Sequence, residues 1–490
     1  MSGATTMMLA MAVPLAGALL IALSHGRPNQ REAVTLVTAA VMFGLVASLV
    51  PEVLAGGRPA TAQWPVLPGL DLHFVLEPLG MLFALVASFL WIVNSIYSIG
   101  YMRANEEPRQ TSFYVFFAVA LAATLGIAFA GNLFTLFLFY ELLTLSTYPL
   151  VIHKQSAEAL RAGRTYLLLL IGSSIILFLP AIVWVSWAAG TTTFTPGGIV
   201  ADVMTPSETG WLLALFAFGI GKAAIMPMHR WLPAAMVAPT PVSALLHAVA
   251  VVKAGVFSIV KITVYVVGVE NLARVGAGEW LVYVASTTLV LASLIALAQN
   301  NLKRRLAYST ISQLAYVVVG AALATKAGIV GSGLQIVMHA AGKITLFFCA
   351  GAIYVAHHRT EVSELTGIGR KMPITMFAFL VGSLSIVGLP PFGGTWSKWT
   401  LILGALDSGH LVVVGILMLS SLLSLGYLLP IVARAFFLPP PEAAGGAGPG
   451  IEEAPTACLI ALCASAALCL ALFFLTGYVE GLLLGIFATP

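Results

Sequence analysis

Charged side chains recur inside the apolar segments of this sequence, where they are costly to place. The basic ones are Lys222, Arg230, Lys253, Lys261, Lys343 and Lys398, and the one carboxylate deep in an apolar run is Glu141. A charge at the depth of a bilayer costs at least about 2.5 kcal/mol, so such residues usually serve a function. Proton movement along a membrane midplane requires a line of buried titratable groups. The sequence therefore predicts an ion-translocating membrane protein.

The composition agrees with a membrane location. The chain has 490 residues, of which 60% are hydrophobic and 9% are charged, whereas soluble proteins carry about 25% charged residues. There is no basic stripe with interleaved aromatic residues, which argues against nucleic-acid binding. Cys349, Cys458, Cys463 and Cys469 lie in apolar runs without metal-site spacing. No nucleotide-binding loop, iron–sulfur cluster pattern or haem attachment motif is present, so we predict no cofactor and no metal.

The apolar runs are long enough to cross a bilayer as helices and predict about fourteen spans. We place them at 4–24, 33–55, 78–101, 112–131, 133–152, 164–188, 209–233, 240–266, 280–298, 304–323, 328–356, 373–400, 408–437 and 456–486. Segment 57–76 predicts a small hairpin or an extended loop. Segment 438–455 is rich in proline and glycine and predicts a flexible connection.

The distribution of lysine and arginine predicts the orientation. Fourteen of the 23 lie in loops after odd-numbered spans and three lie in loops after even-numbered spans. Positive charge favours the cytoplasmic side, so we expect the odd loops in the cytoplasm and both termini outside.

Two spans look broken, the seventh at Pro227 and Pro233 and the twelfth at Pro390 and Pro391. Proline removes a backbone donor and interrupts a helix. Each break lies beside a lysine, five spans apart, which is typical of inverted repeats with ion sites at the midplane. We therefore predict an all-α polytopic fold with inverted five-helix repeats in spans 4–8 and 9–13. The expected parts are 1–110, 111–270, 271–437 and 438–490.

Glu141 needs a partner if it is charged, because burial disfavours the ionised form. Lys222 is the natural candidate for that partner. The alternative is an ion pair that only fixes two helices, although buried pairs are weak stabilisers. Thr144, Ser146 and Tyr148 lie near Glu141, where they either hold water or simply pack.

The eighth and eleventh spans carry the next candidates. Lys253 follows His247 by six residues, and His339 and Lys343 stand at i and i+4 on one helix face. Buried lysine and histidine can exchange protons through bridging water. Each histidine alone is explained equally well as a satisfied packing residue. Lys398 follows the second break, while Lys261 and Arg230 lie nearer the span ends and are expected to snorkel to the interface.

Several motifs resemble one known family. They are Lys222-x4-Pro-x-His-x-Trp-Leu-Pro with Ala-Pro-Thr-Pro-Val-Ser-Ala-Leu-Leu-His247, Leu302-Lys-Arg-Arg-Leu-Ala-Tyr-Ser-Thr-Ile-Ser-Gln313, His339-Ala-Ala-Gly-Lys343 and Gly388-Leu-Pro-Pro-Phe392. They are similar to the proton-translocating module shared by complex I and Mrp-type antiporters. The resemblance covers spans 4–13 and implies the fourteen-helix inverted-repeat fold. One departure is Asn301, where many relatives have aspartate.

The resemblance also implies roles for residues. Glu141 and Lys222 match the coupling pair, Lys253 the connecting residue, His339 and Lys343 the central relay, and Lys398 the terminal lysine. His229 and His247 match secondary positions. The run as a whole, including Leu76-Glu-Pro-Leu-Gly80, looks most like the D subunit of a monovalent cation/proton antiporter.

That resemblance implies a secondary-transporter subunit, not an enzyme, in a bacterial inner membrane. Its expected partners are other membrane subunits, protons, lipid, and Na⁺ or K⁺ as the exchanged cation. One alternative is a proton-pumping subunit of complex I or of a membrane-bound hydrogenase. Another is a structural or energy-coupling subunit of a different transport complex, although a scaffold gains nothing from costly buried charge.

Overall fold

Long helices form almost the whole chain in the computed structural model, which describes residues 2–67, 70–439 and 450–488. The long helices are α1 (Gly3–Leu23), α2 (Pro28–Leu54), α3 (Pro78–Ala104), α4 (Gln110–Ala128), α5 (Leu133–Val151), α6 (Ala157–Ala189), α7a (Pro206–Gly219), α7b (228–237), α8 (Thr240–Val267), α9 (Glu279–Ala298), α10 (Leu302–Ala322), α11 (Lys326–His357), α12a (Pro373–Val387), α12b (Gly394–Asp407), α13 (Leu411–Phe437) and α14 (Thr456–Leu484). Short helical turns lie at Gly221–Ala223, Val269–Val275, Val362–Leu365 and Ile368–Arg370.

The fold is that of a polytopic all-α membrane protein, as predicted. Within the described ranges, eleven helices are long and apolar enough to cross a bilayer. The remaining elements are the two broken helices and α10, whose first turn carries Lys303, Arg304 and Arg305. The number of fourteen spans stays a prediction.

Both predicted breaks are present. Helix α7a ends at Gly219, and after the short turn Gly221–Ala223 helical structure resumes at Met228, directly after Pro227. The α12 break runs from Gly388, which has φ 89°, through Pro390 and Pro391 to Gly394. Pro233 was wrongly predicted to break its helix. It lies inside α7b, in the four-residue helix Trp231–Ala234 between the turns Met228–Arg230 and Ala235–Val237, and the chain stays helical on both sides of it.

Helices α8 and α11 form the centre of the molecule. The apolar stretch of each is completely buried, whereas the other candidate spans are 33–72% buried. The two helices also contact each other. They carry Lys253 and Lys343 respectively, so two completely buried titratable groups lie on the two most deeply buried helices.

A two-stranded hairpin caps one end of the bundle, in agreement with the hairpin alternative for segment 57–76. Strand β1 (Trp64–Leu67) pairs antiparallel with β2 (Leu70–Leu72), and Trp64 lies opposite Leu72. The following residues bind the loop after α4, because Gly131 N donates to His73 O. We call this end of the molecule, with loops 130–132, 190–205, 268–278 and 485–488, the hairpin face.

The opposite face carries the loops after odd-numbered helices. Asn301 accepts a hydrogen bond from Arg304 N at the start of α10 and donates to Glu361 Oε1 at 3.0 Å. The asparagine therefore caps α10 and joins two loops without the aspartate that many relatives have. Most of the predicted flexible connection, 440–449, lies outside the described residues. Its last part is fixed, since Glu453 accepts hydrogen bonds from Ile374 N and Thr375 N.

Candidate functional site

Lys222 lies in the α7 break, completely buried. Its Nζ donates to Tyr140 O at 2.9 Å and to Thr144 Oγ1 at 2.6 Å, and it stands 3.2 Å from the centre of the Tyr140 ring. The break frees the backbone around Lys222, and the Tyr140 hydroxyl accepts its N–H. The Lys222 ammonium therefore points at α5, where it donates hydrogen bonds to neutral acceptors and contacts no carboxylate among the described residues.

Glu141 does not form the direct ion pair with Lys222 that the sequence predicted. Its carboxylate oxygens are buried, and neither accepts a hydrogen bond from any residue that the structure describes. Helical geometry turns adjacent residues about 100° apart, so the lysine that reaches Tyr140 and Thr144 meets a different face of α5. The two charges remain within electrostatic range of each other. The Lys222 ammonium and the Glu141 carboxylate therefore lie near different faces of α5 and do not contact each other.

Lys253 and His339 join the two central helices. Lys253 Nζ lies 2.5 Å from His339 Nδ1, and both residues are almost completely buried. The neutral imidazole nitrogen is an acceptor for an ammonium, and the roles reverse when the proton moves. His339 Nε2 has no hydrogen-bond partner in the described chain, which leaves a second position for a proton or a water. This contact crosses from α8 to α11.

Lys343 continues the row one turn further along α11. Its Nζ donates to Ser309 Oγ at 2.5 Å and to Leu306 O at 3.3 Å on α10. It lies within electrostatic range of both Lys253 and Lys398. His247 lies beside this group, its ring 4.7 Å from that of Phe347, and neither of its nitrogens has a partner among the described residues.

Lys398 follows the α12 break and repeats the surroundings of Lys222. Its Nζ donates to Val387 O at 3.0 Å and to Ser421 Oγ at 2.9 Å, and it lies 4.9 Å from the centre of the Tyr316 ring. Tyr316 is on α10 and Tyr140 is on α5, which are equivalent helices in the predicted repeats. Each broken helix thus places a lysine against a carbonyl, a hydroxyl and a tyrosine ring.

The expectation that Lys261 snorkels to the interface is wrong. Lys261 is completely buried and pairs with Glu77 Oε1 at 2.6 Å. Glu77 lies just before α3, so in the sequence it looks like a loop residue. It is 184 positions away from Lys261 in the chain. Glu141 is therefore not the only buried carboxylate. Arg230 is exposed at the start of α7b, as expected, and the ring of half-buried His229 lies 6.2 Å from that of Tyr308.

A polar cavity on the opposite face was not predicted, since its residues look like ordinary loop charges. It has a volume of about 230 Å³ and is lined by Lys154, Lys303 and Arg359. Beside it, burial raises the pKa of Glu107. Burial and the charge of Arg109 lower the pKa of His153 to about 4. The only signal in the sequence is the concentration of basic residues in these loops.

This geometry defines a class of protein. A membrane-embedded bundle carries a row of buried titratable groups from one broken helix to the other, through its two most buried helices. Groups of this kind hold and pass protons and mark ion pathways in membrane proteins.

The chain belongs to the NADH:quinone oxidoreductase/Mrp antiporter transmembrane family, whose model matches residues 130–424. It is 33% identical over 442 residues to NADH-quinone oxidoreductase subunit N of Desulforudis audaxviator, covering 88% of this chain and 86% of that protein. It is 32% identical to a component of a probable K⁺/H⁺ antiporter of Rhizobium meliloti over 82% of this chain, but spans only 40% of that longer protein.

The fold is shared with a solved structure. The chain superposes on a chain of the Mrp complex from Dietzia sp. with a TM-score of 0.84, covering 99% of this chain and 97% of that one at 22% identity. Together these findings support a proton-translocating membrane subunit of the kind found in Mrp or complex I-like assemblies.

Proposed function

We propose that the chain is the proton-translocating subunit of a multi-subunit antiporter that exchanges Na⁺ or K⁺ for protons. The observation that carries the proposal is the contact between Lys253 and His339. It links the two helices at the centre of the fold through two groups that both bind protons. Lys343 and Lys398 extend the row on one side and Lys222 lies on the other.

The proposed transfer follows the side chains that are already close. Protons are exchanged between Lys253 and His339, between His339 and Lys343 on the same helix face, and between Lys343 and Lys398, so the row carries them in either direction. Where no direct hydrogen bond exists, water must complete the path. Each transfer changes the charge beside the next lysine, and Coulomb coupling is strong where water is excluded.

Lys222 is proposed to control entry to this row. Its ammonium now binds Thr144 and Tyr140 on α5. A change of charge on Glu141 alters the attraction that holds the lysine at α5, and releases it toward α8. The broken backbone on both sides of Lys222 permits that movement at little cost.

Two lateral surfaces are proposed as contacts with partner subunits. On α5 the residues around Glu141 are apolar and open, with Leu145 55% exposed. Lys398 lies at the base of an apolar groove of about 460 Å³ between α12b and α13, beside Trp399 and Leu422. A neighbouring subunit with a titratable group on either surface extends the row beyond this chain.

The surroundings of the chain are part of the same proposal. The location is a bacterial inner membrane, with the hairpin face and both termini outside, as the positions of lysine and arginine favour. The four parts predicted from the sequence, 1–110, 111–270, 271–437 and 438–490, are proposed as its divisions.

The test uses inverted vesicles that contain the whole complex. An imposed pH gradient is followed by the quenching of a fluorescent amine while Na⁺ or K⁺ is added. We expect cation-dependent collapse of the gradient with the native protein and its loss in Lys398→Ala, Lys222→Ala and Glu141→Ala. Lys326→Ala is the matched control, since Lys326 is exposed at the start of α11 and outside the row. Normal transport in all three variants contradicts the proposal.

The second candidate is a proton-pumping subunit of a quinone-reducing respiratory complex. It is favoured by the 33% identity to a subunit of that name across most of both chains. In that case the vesicles show no response to Na⁺ or K⁺, and an electron donor drives proton uptake that depends on Lys398. The same variants therefore distinguish the two functions.

A further inference from the structure

A second buried charged group lies outside the row of lysines. Lys261 Nζ is 2.6 Å from Glu77 Oε1 and 2.7 Å from Ala130 O. The lysine is completely buried and the glutamate is 7% exposed. A buried ion pair contributes little to stability, because desolvation offsets most of the attraction. Stability alone therefore does not explain why the Glu77–Lys261 pair is buried, which points to a function of the pair.

The pair lines a cavity that opens toward the hairpin face. The cavity has a volume of about 190 Å³, and Arg58, His73 and Tyr265 contribute polar groups to its wall. That space is large enough for several water molecules, and these polar groups can supply the hydrogen-bond partners that such waters need. A larger cavity of about 650 Å³ shares Tyr265 and Pro196 with it and continues along the same face.

Along α8, Phe257 lies between the cavity and the row. Lys261 follows Lys253 by eight residues on α8, a rise of about 12 Å. Phe257 lies halfway between them, and Lys261 Nζ stands 5.4 Å from the centre of its ring. The ring therefore lies on the side of Lys261 that faces Lys253 along the helix, where water joining the two lysines has to pass it.

We propose that Glu77 and Lys261 form the site at which protons pass between the buried row and the water on the hairpin face. This rests on the proposed proton translocation and adds its outlet. In the ion pair, the Lys261 ammonium gives its proton to the Glu77 carboxylate, and the resulting carboxylic acid releases it to cavity water, which leaves neutral Lys261 beside the Glu77 carboxylate. Neutral Lys261 then accepts a proton from the Lys253 ammonium through water beside Phe257, leaving Lys253 neutral. Each step moves one proton, and the ion pair is restored.

A purely structural clamp between α3 and α8 is the alternative, and arginine distinguishes the two. Arginine keeps a positive charge and binds a carboxylate well, but it does not release its proton. In the whole complex in vesicles, Lys261→Arg is expected to retain assembly and lose proton transport by about 100-fold, the scale of a lost proton-transfer group. Transport at the native rate in Lys261→Arg overturns the proposal and means that the pair only holds α3 and α8 together.

Glu77→Gln is the second variant, since it changes one atom and keeps the shape of the site. It is expected to lower transport by at least about tenfold. Native transport in a complex that contains Glu77→Gln also overturns the proposal. Lys253→Met is measured in parallel. If Lys253→Met abolishes transport while Lys261→Arg and Glu77→Gln do not, proton translocation along the row is supported and the proposed outlet is contradicted. If none of the three changes transport, the proposed function itself falls.

Access of water to the cavity gives a readout that does not depend on transport. The exposed Cys463 is first replaced by serine, because the other three cysteines are buried. Lys261→Cys is then expected to react with a charged, membrane-impermeant thiol reagent added on the hairpin face. Lys253→Cys is the matched control and is expected to react at least about tenfold more slowly, because Phe257 and the packed core exclude water. Equal rates, or no reaction at Lys261→Cys, contradict the proposed outlet.

Discussion

At the scale of single residues, the lysines of the row fall into two groups by what their ammonium groups touch. Lys222, Lys343 and Lys398 donate to hydroxyl and carbonyl oxygens, which accept a hydrogen bond but do not neutralise the charge. Lys253 instead meets an imidazole, which can take the proton itself. The row is therefore composed of ammonium groups held by neutral acceptors and, at its centre, by a second group that binds protons.

Lys253→Met tests the central contact of the row. Methionine retains the length and the apolar stem of lysine, so α8 should keep its packing. Without the ammonium, His339 loses its neighbour and the two halves are disconnected, so we expect transport to fall by about 100-fold or more. Fluorescent-amine quenching in inverted vesicles measures the rate.

Ser258→Ala is the control for this substitution. The Ser258 hydroxyl donates only to Ala254 O within its own helix, and its loss should leave transport within about twofold of native, because a change away from the row costs little. Native transport in Lys253→Met would place the proton path outside α8.

At the scale of elements, close packing of backbone fixes where the lysines of the breaks can lie. Gly255 on α8 packs directly on the α7 break, and an added Cβ there would lie 2.3 Å from the carbonyl carbon of Lys222. In α12 the break begins at Gly388, whose φ of 89° favours glycine. Each lysine therefore depends on a glycine that allows another backbone segment or the lysine stem to come close.

Gly255→Ala should displace the α7 break. The new methyl group overlaps the backbone of Lys222, and overpacking of this kind costs about 1–3 kcal/mol. We expect lower thermal stability of the complex and a loss of transport. Gly415→Ala is the matched control, because Gly415 lies within α13 and has open space around its missing Cβ. It should raise helix stability slightly and leave transport unchanged. Equal activity of the two variants would show that the position of Lys222 is not set by α8.

Gly388→Ala should displace Lys398 and not only strain the chain. A Cβ at Gly388 would lie 2.8 Å from Lys398 Cδ. Gly409 also has a positive φ, 77°, but nothing lies within 4 Å of its missing Cβ. Alanine at either position costs about 1 kcal/mol of backbone strain, whereas only Gly388→Ala also moves the lysine. We expect similar losses of thermal stability in the two variants and a loss of transport in Gly388→Ala alone. Transport losses of the same size would mean that strain, and not the lysine, is responsible.

At the scale of the whole molecule, the broad architecture could be predicted from the sequence. Apolar length and proline position are local signals, and they indicated the membrane class and the two breaks. The direction of a side chain across an interface is not a local property. Nothing near Lys222 specifies that it binds Thr144 and Tyr140 in preference to Glu141. Nothing near Lys261 indicates Glu77, which stands 184 positions earlier and has the appearance of a loop residue.

The orientation of the molecule is predicted by the loop charges and is open to direct measurement. Gln63 is exposed on the hairpin face, and Arg304 is exposed on the opposite face at the start of α10. In a chain with Cys463→Ser, we expect Gln63→Cys to react with an impermeant thiol reagent in intact cells. Arg304→Cys should react only after the membrane is opened, because the loops rich in lysine and arginine stay on the cytoplasmic side. Both positions are exposed and leave the row intact, so transport serves as the control for folding. The reverse pattern would place the hairpin face in the cytoplasm, and the Glu77–Lys261 cavity would then be an inlet on that side.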